Sequence, residues 1–496
     1  MTANTTHQKN SINIERINKD IRQFNQITPI TEDMKHSLTG VSRLVMLDRY
    51  SFKDIEKKTL TVGDYVILTL KEDPKFPARG TGFVQALNRD TNTAVVEVDE
   101  EFRNVLEADA AKDGLINVSI NALDKPLEIF YEQIAYRNAQ YLASVEPTKE
   151  RQEKSFKEFF EILSSFKFVP AGRVLYGAGS LTQTTFFNCY VMPFIQDSRD
   201  GIAEHRKIVM EIMSRGGGVG TNGSTLRPRN ALAKGVNGKS SGVVSWLDDI
   251  AKLTHLVEQG GSRRGAQIFL LTSNHPDIVE FIISKMQNPR ILRYLIETVS
   301  DEEIQKAAKE KLKFTPLTDT EKRIYEGIIH LKDSEESSRI FGAEEVREAQ
   351  EKLKDQGHYS VHNPEFLTGA NISVCITDDF MQAVEEDAEY ELKFPDIDNY
   401  NEEEKAYYNQ HWHEVGDVRK WEKEHGQRVR VHRKIKAKDL WKLINICATY
   451  AAEPGIFYID NANKMTNAVA YEQQVVAVNP CGEQPLAPVR HVNLKF

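Results

Sequence analysis

Between Val169 and Asn288 short apolar runs alternate with helical patterns, and this alternation constrains the fold more than any other feature of the chain. Ile202–Ser214 and Val244–Glu258 carry apolar residues at helical spacing. Gln267–Thr272 is an apolar run too short for a helix, and a further helix is expected near Pro276, whose fixed φ suits a first helical turn. A short apolar strand between helices is buried on both faces, as in a parallel sheet. The expectation is therefore an α/β architecture.

The flanking regions read differently. Residues 1–58 are a polar N-terminal segment with one helix expected around Ile14–Phe24. Residues 59–125 read as a small β-rich module, because Tyr65–Leu70 and Thr93–Val98 are rich in β-branched residues and are punctuated by Gly63, Gly80, Gly82 and Asn92. Residues 126–168 are helical, and 169–299 hold the first part of the α/β fold. Residues 300–435 read as a charged helical surface insertion that rejoins the main fold near 365–380. The apolar pattern returns over 436–496, at Leu440–Ala452 and Gly455–Ile459.

Composition narrows the function. The 64 Lys and Arg against 73 Asp and Glu give a net charge of −9, which argues against nucleic-acid binding through a basic surface. No run approaches the ~18 apolar residues of a membrane span, and Met1–Asn10 is polar rather than a signal peptide. Cys189, Cys375, Cys447 and Cys481 are far apart, so neither a zinc ribbon nor a disulfide scaffold is expected. A reducing cytoplasmic setting with chemically employed cysteines fits best.

Several motifs fail their context tests. Gly218–Gly223 meets the GxGxxG pattern, but a helix precedes it and Leu226–Arg229 follows, so no dinucleotide site is expected. The bare glycines Gly216–Gly220 instead offer a surface that a flat or sugar-like ligand can approach. Ala233–Ser240 lacks the first glycine of a P-loop; with Lys234 and Lys239 it either grips phosphate loosely or is an ordinary solvated loop. Arg263 and Arg264, on a glycine-flanked loop, either neutralise phosphates or complement a helix C-terminus. His411 and His413 have no further ligand at metal spacing, so no metal is expected.

Asn479-Pro480-Cys481-Gly482-Glu483 is the most informative stretch. In an extended chain residues i, i+2 and i+4 share a side, which aims an amide, a thiol and a carboxylate at one volume. Those groups are a hydrogen-bonding orienter, a nucleophilic sulfur and a general base. Pro480 stiffens the segment and Gly482 permits close backbone approach.

This stretch resembles the active-site finger loop of ribonucleotide reductases, particularly the adenosylcobalamin-dependent class II enzymes of the long Bacillus type. Phe186–Cys189, Ser214–Gly220, Gln259–Ala266, Asn371–Val374 and Glu453–Phe457 resemble further family segments in the same order. The resemblance implies a ten-stranded α/β barrel, incomplete here, with a helical N-terminal region and a small β module. It implies reduction of ribonucleoside di- or triphosphates to 2′-deoxyribonucleotides by a thiyl radical on Cys481, initiated by adenosylcobalamin. Glu483 would deprotonate the 3′-hydroxyl, Asn479 would orient the ribose and Cys189 would be one member of the reducing pair. Val169, Asn188, Gly218, Pro480 and Gly482 would line the substrate pocket. Asp197, Ser198, Lys234, Lys239, Arg263 and Arg264 would serve deoxynucleoside triphosphate or ATP effectors across a homodimer face. A thioredoxin-type reductant would supply electrons.

One departure stands out. The family's second redox cysteine is expected just before Asn493-Leu494, where this chain has Val492. The expectation is a chain cut after its finger loop, inactive alone and open to a complementing C-terminal fragment. The alternatives are a class I large subunit and a non-catalytic deoxynucleotide-binding remnant.

Overall fold

The structure is a computed structural model describing residues 12–488, apart from 25–26, 35–37, 73–76, 107–112, 181, 183, 234–236, 258–264 and 332–341. The chain divides into two compact units, one built on Met1–Asn188 and the other on Cys189–Gln259 and Arg264–Phe496.

In the first unit, β1 (Tyr65–Lys71), β2 (Ala78–Asn88), β3 (Thr93–Val98), β4 (Leu115–Ser119) and β5 (Leu123–Asp124) form an antiparallel sheet in the order β4-β3-β2-β1-β5. Strict alternation along β3 buries Ala94, Val96 and Val98 and turns the intervening residues outward, as expected of a strand with one buried face. Helices Tyr131–Ala143 and Lys149–Ser164 pack through Tyr136, whose ring lies 4.9 Å from that of Phe156. Two buried cations tie loops together. Lys125 Nζ donates to Asp20 Oδ2 at 2.7 Å and to Asp64 Oδ2 at 2.8 Å. Arg137 meets Glu128 and donates to the carbonyls of Leu175 and Ala178.

The second unit opens with β6 (Cys189–Val191), β7 (Gly218–Asn222), the hairpin β8 (Leu232–Ala233) and β9 (Gly238–Lys239), and then β10 (Gln267–Thr272). There follow β11 (Leu312–Pro316), β12 (Gly357–Val361), β13 (Asn371–Ile376), β14 (Glu389–Pro395), β15 (Val429–Lys436), β16 (Gly455–Tyr458), β17 (Ala477–Val478) and β18 (Pro485–Leu486). Its main sheet runs β16-β13-β10-β7-β6 with every pair parallel. Among the described residues this sheet has five strands and does not close on itself.

Alternation divides the sheet chemically. Val219, Phe269, Leu271, Ile372, Val374 and Ile376 point into a large core with helices Arg199–Ser214, Val243–Ala251 and Ala437–Ala451. Val191, Ile268, Leu270 and Cys375 point the other way, into a smaller cluster completed by Val476, Ala477 and Val478. The sheet is thus buried on both faces, one face covered by helices and the other by the segment leading to Cys481.

The reading of 300–435 as a charged surface insertion needs correction. β14, β15 and the helices Glu402–Val415 and Val418–Lys423 between them enclose an aromatic core of Phe394, Tyr400, Tyr408, Trp412 and Trp421. The charge on the outer face of these helices masked an apolar face made of only a few, very large side chains.

Candidate active site

The glycines of β7 are where the site begins. A Cβ on Gly220 would sit 1.6 Å from the Val478 carbonyl oxygen, and one on Gly218 would sit 2.8 Å from Pro480 Cγ. The bare surface expected to face a ligand is therefore filled by the chain's own loop. Glycine lets the backbone of β17 lie directly on the strand.

Polar side chains then fix the loop at three levels. Asn463 accepts from Val475 N at 2.8 Å and donates to its carbonyl at 3.0 Å. Asn222 donates to the Val476 carbonyl at 2.7 Å, while its Oδ1 accepts from the Ser224 amide and hydroxyl. Asn371, the first residue of β13, donates to the Pro480 carbonyl at 3.1 Å. Sequence reasoning placed Asn371 in a matching segment but gave it no role, and it missed Asn222 and Asn463. Their signal was an amide at the edge of an apolar strand or helix run.

The tip is a tight reversal rather than the extended segment expected. Gly482, at φ +86°, donates its N–H to the Asn479 carbonyl at 2.8 Å, and Asn479 Oδ1 accepts from Gln484 N at 2.8 Å. The β17–β18 hairpin forces this reversal, so side chains at i, i+2 and i+4 no longer share a side. Asn479 and Pro480 are buried, whereas Cys481, Gly482 and Glu483 are exposed. Nothing stands within 4 Å of a Cβ built on Gly482. The tip thus offers a thiol and a carboxylate on its open side, with an amide bracing it from beneath.

Cys189 is half-buried at the start of β6 and pairs in register with Gly218, the residue under Pro480. In-register neighbours of a parallel pair share a face, so Cys189 lies on the same face of the sheet as the loop. Cys375 and Cys447 are fully buried, and burial pushes the Cys447 thiol up to about 12 and that of Cys375 higher still. Those two stay protonated and inert.

Of the remaining expected residues, Val169 and Asn188 are exposed in the first unit. The Asp197 carboxylate is engaged within the chain. It accepts from Arg227 N at 3.1 Å, from Arg227 Nε at 2.8 Å and from the Tyr408 hydroxyl at 2.7 Å. Ser198 Oγ caps helix Arg199–Ser214 by accepting from Gly201 N. Lys239 is exposed on β9, while Lys234, Arg263, Arg264 and Val492 lie outside the described residues. Arg227 was not anticipated. Among the described residues no group of three or more His, Cys, Asp or Glu could hold a metal, and no helix is long and apolar enough to cross a membrane.

Comparison with known proteins now bears on this arrangement. A family model described as the ribonucleotide reductase barrel domain matches residues 187–493, and one described as the ribonucleotide reductase all-alpha domain matches 121–183. The chain is 24% identical to a vitamin B12-dependent ribonucleoside-diphosphate reductase of Thermoplasma acidophilum, over 94% of this chain and 51% of that protein. It is 23% identical to a protein of the same description from Mycobacterium tuberculosis, over 72% of this chain and 36% of the relative. Similarity to the ribonucleoside-diphosphate reductase subunit alpha of Chlamydia pneumoniae, 29% identical, covers 27% of this chain and 13% of that one. The chain spans about half the length, or less, of these curated relatives.

Proposed function

Because the chain belongs to the ribonucleotide reductases, we propose that Cys481 is the thiol through which a ribonucleotide is reduced to a 2′-deoxyribonucleotide in an adenosylcobalamin-dependent reaction. The observation that carries this reading is the Asn479–Glu483 reversal, braced on Gly218, Gly220 and Asn371 with its thiol exposed. Matches to relatives described as ribonucleoside-diphosphate reductase subunit alpha, such as the chlamydial one, cover about a quarter of this chain, whereas the B12-dependent relative is matched over 94% of it, which favours the cobalamin reading. A ten-stranded barrel, of which the five parallel strands are one portion, is the fold this reading entails.

The open side at Gly482 leaves room for a bulky cofactor to approach Cys481, so the tip fits such a group. Adenosylcobalamin, when bound, supplies the one-electron chemistry by which a thiol becomes a thiyl radical. The protein's part is position. Cys481 takes the hydrogen atom from the ribose 3′ carbon and later returns it. Glu483 accepts the proton of the 3′-hydroxyl. Asn479, buried with its Oδ1 committed to the turn, orients the ribose through the shape it gives the tip. Loss of the 2′-hydroxyl as water consumes a proton, and two electrons come from a thiol pair closing to a disulfide, with Cys189 as one member and a thiol of a complementing C-terminal fragment as the other, since Cys375 and Cys447 are buried.

In this reading Val169, Asn188, Pro480 and Gly482 are substrate-binding residues by family resemblance, and Gly218 acts through Pro480, which covers it. Deoxynucleoside triphosphate or ATP effectors bind at Asp197, Ser198, Lys234, Lys239, Arg263 and Arg264, with Arg227 beside them, across a homodimer face. A thioredoxin-type protein restores the thiols.

The test is adenosylcobalamin-dependent hydrogen exchange at the ribose with ribonucleoside di- and triphosphates, comparing the parent chain with Cys481→Ser. Exchange that is lost in the variant supports the reading. Exchange that persists undiminished in Cys481→Ser overturns it.

A further inference from the structure

The aromatic block between β14 and β15 touches two distant parts of the second unit through directional bonds. Toward residues 194–232, the Tyr408 hydroxyl donates to Asp197 Oδ2 at 2.7 Å and Trp412 Nε1 donates to the Thr225 carbonyl at 2.8 Å. Gln196 Nε2 returns a bond to the Asn409 carbonyl at 3.3 Å. Toward the loop bearing Cys481, Lys420 Nζ donates to Gln474 Oε1 at 2.9 Å, and Gln474 Nε2 donates to the Val415 carbonyl at 3.4 Å. Gln474 immediately precedes Val475, where the anchoring by Asn463 begins.

We propose that this block is a positioning element that couples the Asp197–Arg227 pair to the root of the Cys481 loop, with Tyr408 and Gln474 as its two contacts. The block is stiff enough to transmit a shift. Tyr408 stacks on Trp412 with ring centroids 6.1 Å apart, and Trp412 meets Trp421 edge-on at 5.4 Å, all three rings buried. Close-packed aromatic clusters move as units rather than deform. Burial and the adjacent Asp197 push the Tyr408 phenol far above its ordinary range, so it remains a donor to that carboxylate at every working pH. The receiving end has room to respond. A cavity of about 440 Å³ lies at the carboxyl ends of β7 and β10, lined by Trp412, Lys420, Gln474 and Val475 among others. A rearrangement at Asp197 thus tilts the block and reaches the root of the thiol-bearing loop, without any side chain of the block touching Cys481's own turn.

The importance of this coupling rests on Cys481 being the working thiol, but its test needs neither turnover nor cofactor. The alkylation rate of Cys481 by iodoacetamide, resolved by peptide mass spectrometry, is measured in a cycle of Tyr408→Phe, Gln474→Ala and the double variant. Distant independent sites behave additively, whereas coupled ones do not. Tyr408→Phe is expected to change the Cys481 rate by about threefold or more, and the double variant to match Gln474→Ala alone. Trp412→Phe, which keeps an aromatic ring but loses the bond to Thr225 and part of the packing on Tyr408 and Trp421, provides a second probe expected to act in the same direction. Cys375 and Cys447 remaining unmodified reports an intact fold in each variant. A Cys481 rate unchanged in both Tyr408→Phe and Trp412→Phe, or strictly multiplicative effects in the cycle, overturns the coupling. Neither result bears on the ribose-exchange assay, so failure of the coupling and failure of the functional reading are told apart.

Discussion

Gly220 and Val478 meet so closely that the strand hydrogen of the glycine occupies space no side chain can share: a Cβ there would stand 1.6 Å from the Val478 carbonyl oxygen. Gly220→Ala is expected to unseat the loop while the parallel sheet persists. Overpacking at a site bounded by backbone on both sides cannot be relieved by a rotamer change, and the cost is about 3 kcal/mol. Urea unfolding monitors the stability, and limited proteolysis between Tyr471 and Leu486 monitors the loop. Unaltered protease resistance would show that the seat is not required.

Asn371→Ala removes the bond to the Pro480 carbonyl and is expected to cost about 1 kcal/mol, the ordinary worth of a neutral hydrogen bond. Its larger effect falls on the thiol. With the carbonyl before Cys481 released, the alkylation rate of Cys481 should rise relative to the parent chain, and an equal rate would remove Asn371 from the site.

The four thiols should separate cleanly by reactivity. Cys481 is exposed and reacts first with iodoacetamide at pH 8, followed by the half-buried Cys189. Cys447, held at about 12 by burial, and Cys375, pushed higher, lack both thiolate and access and remain unmodified until the protein unfolds. Peptide mass spectrometry reads the order directly.

Acid should weaken the second unit before its carboxylates titrate. Burial lowers His205 and His275 from 6.5 to about 4, so the unfolded chain binds protons that the folded chain refuses. Stability is then complete above pH 6.5 and declines as the pH falls toward 4, by about 1.4 kcal/mol per pH unit for each histidine. His205→Gln, which keeps a polar partner for Thr221, should remove one histidine's share of that slope in urea titrations between pH 7 and 5.

Lys125→Met leaves Asp20 without its cationic partner in a buried site, and Asp64 with Arg16 alone. The expected loss is about 3 kcal/mol or more in the first unit, because a buried charge stripped of its partner costs more than the pair contributes. Chemical denaturation followed by tryptophan emission would miss it, since all four tryptophans lie in the second unit. Tyrosine signals or hydrogen exchange over residues 65–124 are the proper probes.

Legibility of the fold from the sequence tracked the range of the interactions. Gln267–Thr272 forms a strand as expected, because a short apolar run with boundary residues encodes its state locally; the apolar run at Gly455–Tyr458, to which the sequence assigns no state, is a strand as well. The helix expected over Val244–Glu258 is instead divided into Val243–Ala251 and Leu253–Leu256. The site was legible in its chemistry but not in its posture. Asn479, Cys481 and Glu483 were recognisable as a set, yet the hairpin that separates the buried amide from the exposed thiol depends on pairing with Pro485 and Leu486. The glycines of β7 were visible, but what covers them lies far along the chain. Trp412, adjacent to two histidines in a charged run, carried no local sign of its burial.

That distance has a kinetic meaning. Asn222 and the Val476 carbonyl it grips are 254 residues apart, and contacts of such long range close late, after local helices and neighbouring strands have formed. The loop therefore has no seat until β7 is already flanked by β10, and its cysteine is among the last groups to reach its place. Assembly order itself becomes a safeguard: the exposed thiol of Cys481 gains its surroundings only after the strands beneath its loop have paired.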